Sequence, residues 1–334
     1  MVRQISQTLL GSISKRIPLG LRIGVGDDAA VFSCTGGKEW VISSDFFLEN
    51  VHFRLAPHSP ESIGYKSLMR AASDLAAMGA EPRFFLFNLA MPLSRTGSWL
   101  RRFLRGMKQA TSLLGMRLIG GDTTVNPSIA ISITVLGEVR KGRAVLRSGA
   151  KPGHRIYVSG PLGRAELGLR LMLHGVESGP GLRSLLRPHL YPRPRIRLGA
   201  WLGRNRIASA MMDISDGLST DLDRLCKASG VGAVVYLDKI PAVGIPGYVR
   251  HYAGFGRIDG KELALNGGDD YELLFAAPLK LASRIRGAPG AREITMIGEI
   301  CSGKTIYIVD IKGHRRVLTA RGWDPFARKR ADDN

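Results

Sequence analysis

The chain has 334 residues, more than a single domain usually holds, so two domains are expected. No run of eighteen apolar residues occurs, which predicts that no helix crosses a membrane. The 48 Lys and Arg outnumber the 28 Asp and Glu and give a formal net charge of +20. That charge admits nucleic-acid binding, but no aromatic-interleaved RNA motif and no zinc finger accompanies it, so this class is the weaker alternative.

The first twenty residues lack the continuous apolar stretch of a signal peptide and predict a short amphipathic helix. The three cysteines, Cys34, Cys226 and Cys301, are odd in number and far apart in the chain. This spacing argues against a disulfide framework and against a cysteine zinc site, and it favours a reducing cytoplasm.

The first half of the chain alternates β-like runs with helical stretches. Ser59 and Pro60 open an apolar-periodic run, which predicts a helix as far as Met78 with Ser59 as its N-cap. A second amphipathic helix is predicted at 99–114. Apolar composition and flanking turn residues predict strands in AAVF, EWVISSD, FFLFNLAMP and SIAISITVLGEV.

The stretch RKGRAVLRSGAKPGHR is rich in Gly, Lys and Arg and is the candidate domain boundary. We therefore expect an N-terminal domain at 1–147 and a C-terminal domain at 148–334. The second domain is predicted to contain helices at 165–174 and 216–229 and strands in RIYVSG, GAVVYL, YELLFAAP, ITMIGEI and TIYIVD. Because strands and helices mix without a regular βαβ order, the expected fold class is α+β.

The aspartates are unevenly distributed along the chain. Nine of the seventeen lie in six short, mostly apolar segments flanked by glycine or serine, namely IGVGDDAAVF, ISSDFF, AASDLAAMG, LIGGDTT, MMDISDGLS and LNGGDDYELLF. Acids between apolar runs are costly to bury unless a positive charge pairs with them. Carboxylates are preferred ligands of Mg²⁺, which in proteins commonly also contacts substrate phosphates. The pattern therefore predicts a site for several metal ions around a polyphosphate.

Two nucleotide-binding patterns also occur, and the context of each argues against it. Residues 298–305 fit the P-loop pattern, but a β-like run follows where the mechanism needs a helix, so residues 302–304 are predicted to form a hairpin turn. Residues 24–29 fit the Rossmann pattern, but a β-like run follows there too, and two carboxylates would repel a pyrophosphate.

Each acid taken singly has a structural alternative. Asp27 and Asp28 could cap a turn, Asp74 could bind local backbone, and Asp216 could be the N-cap of the following helix. Taken together, the six segments favour the metal site, with Arg147 in the linker as a phosphate clamp. No HExxH, paired CxxC or GxSxG motif occurs, so zinc hydrolysis and serine acyl transfer have no support.

With these segments in this order, the chain resembles the thiamine-monophosphate kinases, of the superfamily that includes aminoimidazole-ribonucleotide synthetase and selenophosphate synthetase. The resemblance rests on GVGDDAAV, ISSDFFLENVHF, SDLAAMGAEP, LIGGDTT, GRAVLRSGAKPG, DISDGLSTDL, NGGDDYELLF and GWDPF. It implies transfer of the γ-phosphoryl group of ATP to thiamine monophosphate with several Mg²⁺ ions. It also implies a PurM-like architecture, with an N-terminal sheet that pairs across a homodimer and a C-terminal domain that closes over the site.

The resemblance further implies a role for each matching residue. The positions that match metal ligands are Asp28, Ser43, Ser44, Asp45, Asp74, Asp122, Asp213 and Asp216. The positions that match ATP contacts are Gly121, Asp122, Arg147 and Ser215. The positions that match substrate contacts are His52, Asp269 and Trp323. The residues expected to act directly in the transfer are Asp122, Arg147 and Asp213.

The chain departs from the family pattern at a few positions, none of which removes a ligand atom. Asp269 stands where Glu is commoner, Ser44 where Thr is common, and His154 where Asp is common, and LENVHF lacks the usual Glu-Gly. No role is assigned to Asp27 or Asp270. Two alternatives stay open: another ATP-dependent enzyme of the same superfamily, and a basic nucleic-acid-binding protein.

Overall fold

The computed structural model describes residues 20–34, 36–176, 181–251 and 258–324, so the predicted N-terminal helix lies outside the described residues. The elements of the first half are β1 (Leu21–Ile23), β2 (Ala30–Ser33), β3 (Lys38–Leu48), α1 (Pro60–Ala77), β4 (Glu81–Met91), α2 (Ser98–Leu114), β5 (Arg117–Val125) and β6 (Ala130–Arg140). Those of the second half are β7 (Arg155–Val158), α3 (Arg164–Leu173), α4 (Leu182–Leu190), α5 (Ile196–Arg204), β8 (Ala210–Ile214), α6 (Leu218–Ser229), β9 (Gly232–Tyr236), α7 (Gly260–Asn266), β10 (Glu272–Ala277), α8 (Ala282–Ile285), β11 (Thr295–Cys301), β12 (Ile306–Val309) and β13 (Arg315–Val317).

The first sheet has six strands in the order β1-β2-β3-β6-β4-β5, antiparallel except for the parallel pair β4 and β5. Successive residues of a strand point to opposite faces. One face packs on α1 and α2, where Val41, Phe85 and Ile131 are buried against Phe103. The opposite face is open within the described chain, and Phe46 on β3 is 64% exposed there.

The helix α1 begins as predicted. Ser59 is its N-cap, accepting a hydrogen bond from the Ser62 backbone N–H at 3.1 Å, and Pro60 occupies the first turn. One side of the helix belongs to the core of the first sheet, whereas Ala76 and Ala77 pack in a core of the second sheet. Because α1 is buried on nearly every side, any charged residue on it must face a partner or a cavity.

The second sheet has seven strands in the order β13-β12-β9-β11-β7-β10-β8. Neighbouring residues of one strand enter different cores: Ile156 and Met212 pack on one face, and Tyr157 and Met211 on the other. Helices therefore cover both faces of this sheet. Together the two sheets and their helices confirm the α+β class. None of the described helices combines the length and apolar character that a membrane-spanning segment needs.

The predicted hairpin at residues 302–304 is wrong. The strands β11 and β12 do not pair with each other, because β9 lies between them and bonds to both. The connecting chain crosses over the first residue of β9, and a Cβ at Gly232 would lie 2.6 Å from the Thr305 carbonyl oxygen. A glycine at that position is what allows the crossing. The expectation that a strand and not a helix follows Thr305 is confirmed by β12.

The structural alternative for Asp216, as the N-cap of the helix at 216–229, is also wrong. The helix α6 begins at Leu218, and its N-cap is Gly217, which has no side chain to bond the first turn. The Asp216 carboxylate is instead ion-paired with Arg224, which lies in the middle of α6. The Asp216 carboxylate thus bonds a side chain of α6 and does not cap its first turn.

Candidate functional site

A cavity of about 780 Å³ lies between the two sheets. Residues from β3, α1, α3, the ends of β8 and β10, and the segment 321–323 line it. The predicted site residues that line this cavity are Asp28, Ser43, Ser44, Asp45, His52, Asp74, Arg147, Asp213, Ser215, Asp216, Asp269 and Trp323. Gly121 and Asp122 are not among its lining residues.

Three aspartates converge at one end of the cavity. Asp28 precedes β2, Asp74 lies on α1 and Asp213 on β8, and each offers a carboxylate oxygen within 4.8 Å of the others. Burial, together with the neighbouring carboxylates, raises the pKa of Asp213 to about 7 and raises that of Asp74 well above its ordinary value. Three buried carboxylates so close together require more positive charge than one arginine supplies. Their hard oxygens suit Mg²⁺, so the residues fit the metal that the sequence predicts.

Arg147 supplies the nearest positive charge. Its Nε lies 3.0 Å and its Nη2 2.8 Å from the two Asp28 carboxylate oxygens, a bidentate pair. The Arg147 backbone N–H donates to Asp27 Oδ1 at 3.0 Å, so Asp27 fixes the linker where it passes the acids. The Arg147 guanidinium already donates two hydrogen bonds to Asp28. For Arg147 to contact a phosphate, one of these bonds must break or a remaining N–H group must donate.

Strand β3 presents alternate residues to the cavity. Ser43 donates its hydroxyl proton to the Asp74 carboxylate, and Asp45 Oδ2 lies 3.4 Å from Arg70 Nε. Ser44 points to the opposite face of the sheet, where its hydroxyl lies 3.0 Å from that of Thr134. Of the β3 residues, Ser43 and Asp45 therefore join the acidic cluster through their side chains, and Ser44 does not.

Helix α1 carries two basic site residues that sequence reasoning missed: Arg70, which lines the cavity, and the buried Lys66. Lys66, Arg70 and Asp74 follow one another at intervals of four residues and so share one face of the helix. The signal was present in the sequence, because these are the charged residues within the run SIGYKSLMRAASDLAA of an otherwise mostly apolar helix. Lys66 pairs with Asp269 at one end of this face, and Asp74 joins the aspartate trio at the other.

Asp269 is fixed by two neighbours. Lys66 Nζ lies 2.7 Å from Oδ2, and the Tyr271 hydroxyl donates to Oδ1 at 2.6 Å. Burial alone would raise the pKa of Asp269, but the neighbouring cations, of which Lys66 has the largest effect, together outweigh it and lower that pKa below its ordinary value. Both Asp269 and Tyr271 have left-handed backbone, with φ of 67° and 52°. Strained backbone of this kind persists where the surroundings hold it, and it is common at binding sites.

A buried chain of hydrogen bonds continues from Lys66. Its Nζ lies 3.3 Å from His189 Nδ1, and His189 Nε2 lies 3.0 Å from His58 Nε2. Burial, and then the Lys66 charge, lower the pKa of both histidines, so both rings are neutral. Since an ammonium only donates, His189 carries its proton on Nε2, and His58 carries its own on Nδ1, 3.0 Å from the Arg54 carbonyl. This arrangement of protons satisfies the hydrogen bonds from Lys66 through both histidines to the Arg54 carbonyl.

His52 and Trp323 also line the cavity, and His52 lies close to Asp269. Burial, and then the Arg70 charge, lower the pKa of His52 to about 4, and its Nδ1 accepts from the Leu48 backbone N–H at 3.0 Å. The neutral ring thus keeps its proton on Nε2 as a donor. Trp323 is 46% exposed, and its backbone N–H donates to the Asp216 carbonyl at 2.9 Å. This bond fixes the segment that carries the indole beside the start of α6.

Asp122 lies apart from the trio. It is on β5, whose nine residues are all exposed, and it faces Asn88 across the parallel pair. Asn88 in turn faces Ser132, and Ser132 faces Phe46, the residue after Asp45. Three strand spacings separate Asp122 from β3, about 14 Å. The residues Gly121 and Asp122 therefore do not meet the aspartate trio within one chain.

Comparison with known proteins finds relatives over most of the chain. The family model described as AIR synthase related protein, N-terminal domain, matches residues 26–139, and its C-terminal counterpart matches residues 151–310. The thiamine-monophosphate kinase of Bacillus subtilis (strain 168) is 37% identical over 258 residues, 75% of this chain and 76% of that protein. The thiamine-monophosphate kinase of Escherichia coli (strain K12) is 34% identical over 317 residues, 92% of this chain and 93% of that protein.

A solved structure, AaThiL complexed with AMPPCP and TMP, shares the fold with a TM-score of 0.81 and 30% identity, covering 97% of this chain and 96% of that chain. Identity of this extent over nearly the whole length goes beyond a shared fold. The chain belongs to the AIR synthase related proteins and, within them, to the thiamine-monophosphate kinase family.

Proposed function

We propose that the chain transfers the γ-phosphoryl group of ATP to the phosphate of thiamine monophosphate, giving thiamine diphosphate. One observation supports this above the others: the cavity that holds the trio Asp28, Asp74 and Asp213 is also lined by Asp269 and Trp323. The trio suits metal-bound phosphates, and the exposed indole of Trp323 suits a flat heteroaromatic ring. The similar structure that holds AMPPCP and TMP adds to this support.

The chemistry needs little acid or base from the chain. The second pKa of a phosphate monoester is about 6, so the attacking oxygen is already ionised at neutral pH. The neutral His52 is therefore suited to orient the substrate as a donor, and Asp269, kept ionised by Lys66, is suited to accept from it. Trp323 offers its ring for stacking.

The difficulty of the reaction is the repulsion between two polyanions. Asp28, Asp74 and Asp213, with Ser43 and Asp45 beside them, would hold the Mg²⁺ ions. When bound, these ions would supply positive charge that reduces the repulsion and stabilises the in-line transfer. Asp216 and Ser215 line the same cavity, next to the trio, as a further metal ligand and an ATP contact.

We also propose a homodimer in which Asp122 acts in the partner's site. The exposed edge strand β5 carries Leu118, Ile119 and Val125, each more than half exposed. Unpaired edge strands with apolar residues are normally covered by another chain. A second copy on this face would bury them and carry Gly121 and Asp122 away from their own trio. In this proposal, residues 1–147 form the dimerisation and metal-binding domain, and residues 148–334 form the domain that closes over the substrate.

The compartment proposed is the cytoplasm, since Cys34, Cys226 and Cys301 are all free thiols in the structure. The alternative functions are other ATP-dependent reactions of the superfamily. A coupled assay separates them: the purified protein with ATP and Mg²⁺ receives thiamine monophosphate, an aminoimidazole-ribonucleotide precursor or selenide. Formation of thiamine diphosphate and ADP with the first alone is expected, and Asp213→Ala is the inactive control. Absence of thiamine diphosphate would refute the proposal.

A further inference from the structure

Arg70 is a largely buried cation with few polar contacts to its guanidinium. Its Nε is inaccessible to solvent and has no hydrogen-bond partner among the described residues. The ion pair that it makes there, with Asp45, is a loose one of 3.4 Å. Its guanidinium also lies over the Phe47 ring, 5.3 Å from the centroid. This cation–π contact helps to fix the position of the guanidinium. Its side chain is 16% exposed, and it lines the cavity.

The position of Arg70 follows from the geometry of α1. Residues four apart on a helix are separated by about 6 Å along its axis. Lys66, one interval before Arg70, holds Asp269 at the substrate end, and Asp74, one interval after it, belongs to the metal end. Arg70 therefore lies midway between the proposed substrate contact Asp269 and the proposed metal ligand Asp74.

The charge balance at this point favours an anion. Asp269 is already neutralised by Lys66, and Asp45 is one of the proposed Mg²⁺ ligands. Once Asp45 turns to a metal ion, Arg70 loses the partner that it has in the described chain. A buried guanidinium then requires another anion with a fork of acceptor oxygens.

We propose that Arg70 binds the acceptor phosphate of the substrate and thereby makes the site prefer a phosphate monoester to the free alcohol. This inference rests on the proposed function, in which the acceptor phosphate lies between the ring and the metal ions. Arg70 is then a substrate-binding residue of the reaction and distinct from Arg147, which is committed to Asp28 at the metal end.

The test is a binding cycle. The ligands are thiamine monophosphate and thiamine, each titrated by calorimetry in Mg²⁺ and a non-hydrolysable ATP analogue. The proteins are wild type, Arg70→Gln and Arg70→Lys. The matched control is Arg170→Gln, which removes the same charge from a residue that lines the same cavity but is paired with Glu166 on its own helix.

Arg70→Gln is expected to weaken binding of thiamine monophosphate by about 10- to 100-fold, the effect of one charge-assisted bond in a shielded site. Its affinity for thiamine should stay within about twofold of wild type, because the ring contacts are untouched. Arg70→Lys should recover part of the preference, and Arg170→Gln should keep all of it. Unchanged thermal melting of the variants confirms that the fold is intact.

The inference is overturned if Arg70→Gln weakens the binding of thiamine monophosphate and of thiamine equally, which would indicate a structural role. It is also overturned if the binding of neither ligand is weakened. It fails separately from the proposed function. Wild-type protein that makes no thiamine diphosphate refutes the function, whereas wild type that makes it, with a phosphate preference that survives in Arg70→Gln, refutes the role of Arg70 alone.

Discussion

Lys66 Nζ lies 2.7 Å from Asp269 Oδ2, and the lysine side chain is only 2% exposed. Removing one partner of such a pair leaves the other charge uncompensated in a shielded site. We predict that Lys66→Met lowers the free energy of unfolding by about 3 kcal/mol and raises the KM for thiamine monophosphate. Urea unfolding and steady-state kinetics measure the two effects.

The control for Lys66 is the double variant with Asp269→Asn. Because this variant has neither charge, its loss of stability should be smaller than the sum of the two single losses. Additive losses would show that the pair contributes nothing, and a Lys66→Met protein as stable as wild type would contradict the prediction directly.

The aspartate trio predicts an unusual pH dependence of the metal-free protein. Burial and neighbouring acids raise the pKa of Asp213 from 3.8 to about 7, and those of Asp28 and Asp74 are raised as well. At pH values between 3.8 and about 7, Asp213 therefore keeps a proton in the folded state that it has lost in the unfolded state. The free energy of unfolding in EDTA should therefore fall as pH rises from about 4 to above 7.

Mg²⁺ should reverse this trend, since it binds the deprotonated carboxylates and stabilises the folded state more at pH 8 than at pH 6. Asp213→Asn removes one of the buried charges. We expect it to raise metal-free stability at pH 8, on the order of 2 kcal/mol, to reduce the Mg²⁺-induced rise in Tm and to abolish turnover. A wild-type Tm that is independent of Mg²⁺ at both pH values would rule out the metal assignment of the trio.

Much of the fold followed from local sequence signals, because those signals act over a few residues. Ser59 and Pro60 set the start of α1. The crossing of the chain over Gly232 was not predictable in the same way. A turn sequence specifies that the chain reverses, but the choice of neighbour for β12 depends on which strand has an open edge, and β9 is far away in the sequence.

The site shows the same division. The acids were found from their apolar and glycine-rich settings, and the cavity places Asp28, Asp74 and Asp213 together. The cationic partners of Asp269 and Asp45 were missed, although Lys66 and Arg70 were visible as charges on a mostly apolar helix. Residues such as His189 gave no local signal, since its role depends on Lys66, more than a hundred positions earlier.

Composite sites across the proposed dimer lead to a complementation prediction. Asp122→Ala and Asp213→Ala should each be inactive alone. If Asp122 serves the partner's trio, a mixed dimer of the two variants holds one intact site and one that lacks both residues. Random mixing should restore about a quarter of wild-type activity.

The control for complementation is Asp74→Ala mixed with Asp213→Ala. Both residues belong to the trio of one chain, so every site in that mixture lacks a ligand and no activity should return. Full inactivity of the Asp122 and Asp213 mixture, in protein shown to exchange subunits, would place Asp122 outside the partner's site.

Asp270 stabilises the wall of the cavity at a helix start. Its carboxylate accepts from the backbone N–H groups of Gly163, at 2.5 Å, and Ala165, at 3.1 Å, the first donors of α3. Those donors have no partner within the helix, so Asp270→Ala should cost about 1–2 kcal/mol of stability. Because α3 forms part of the cavity wall, its displacement should give a higher KM with a smaller change in kcat.

Asp310 provides the matched control for Asp270. It also accepts two backbone N–H bonds, from Lys312 and His314 at 2.9 Å each, but in an exposed turn that does not line the cavity. Asp310→Ala removes the same kind of contact and should leave both KM and kcat unchanged, because α3 keeps its position. An equal rise of KM in the two variants would show that lost stability, and not a displaced cavity wall, weakens substrate binding. A KM effect confined to Asp270→Ala assigns this aspartate to the support of the site.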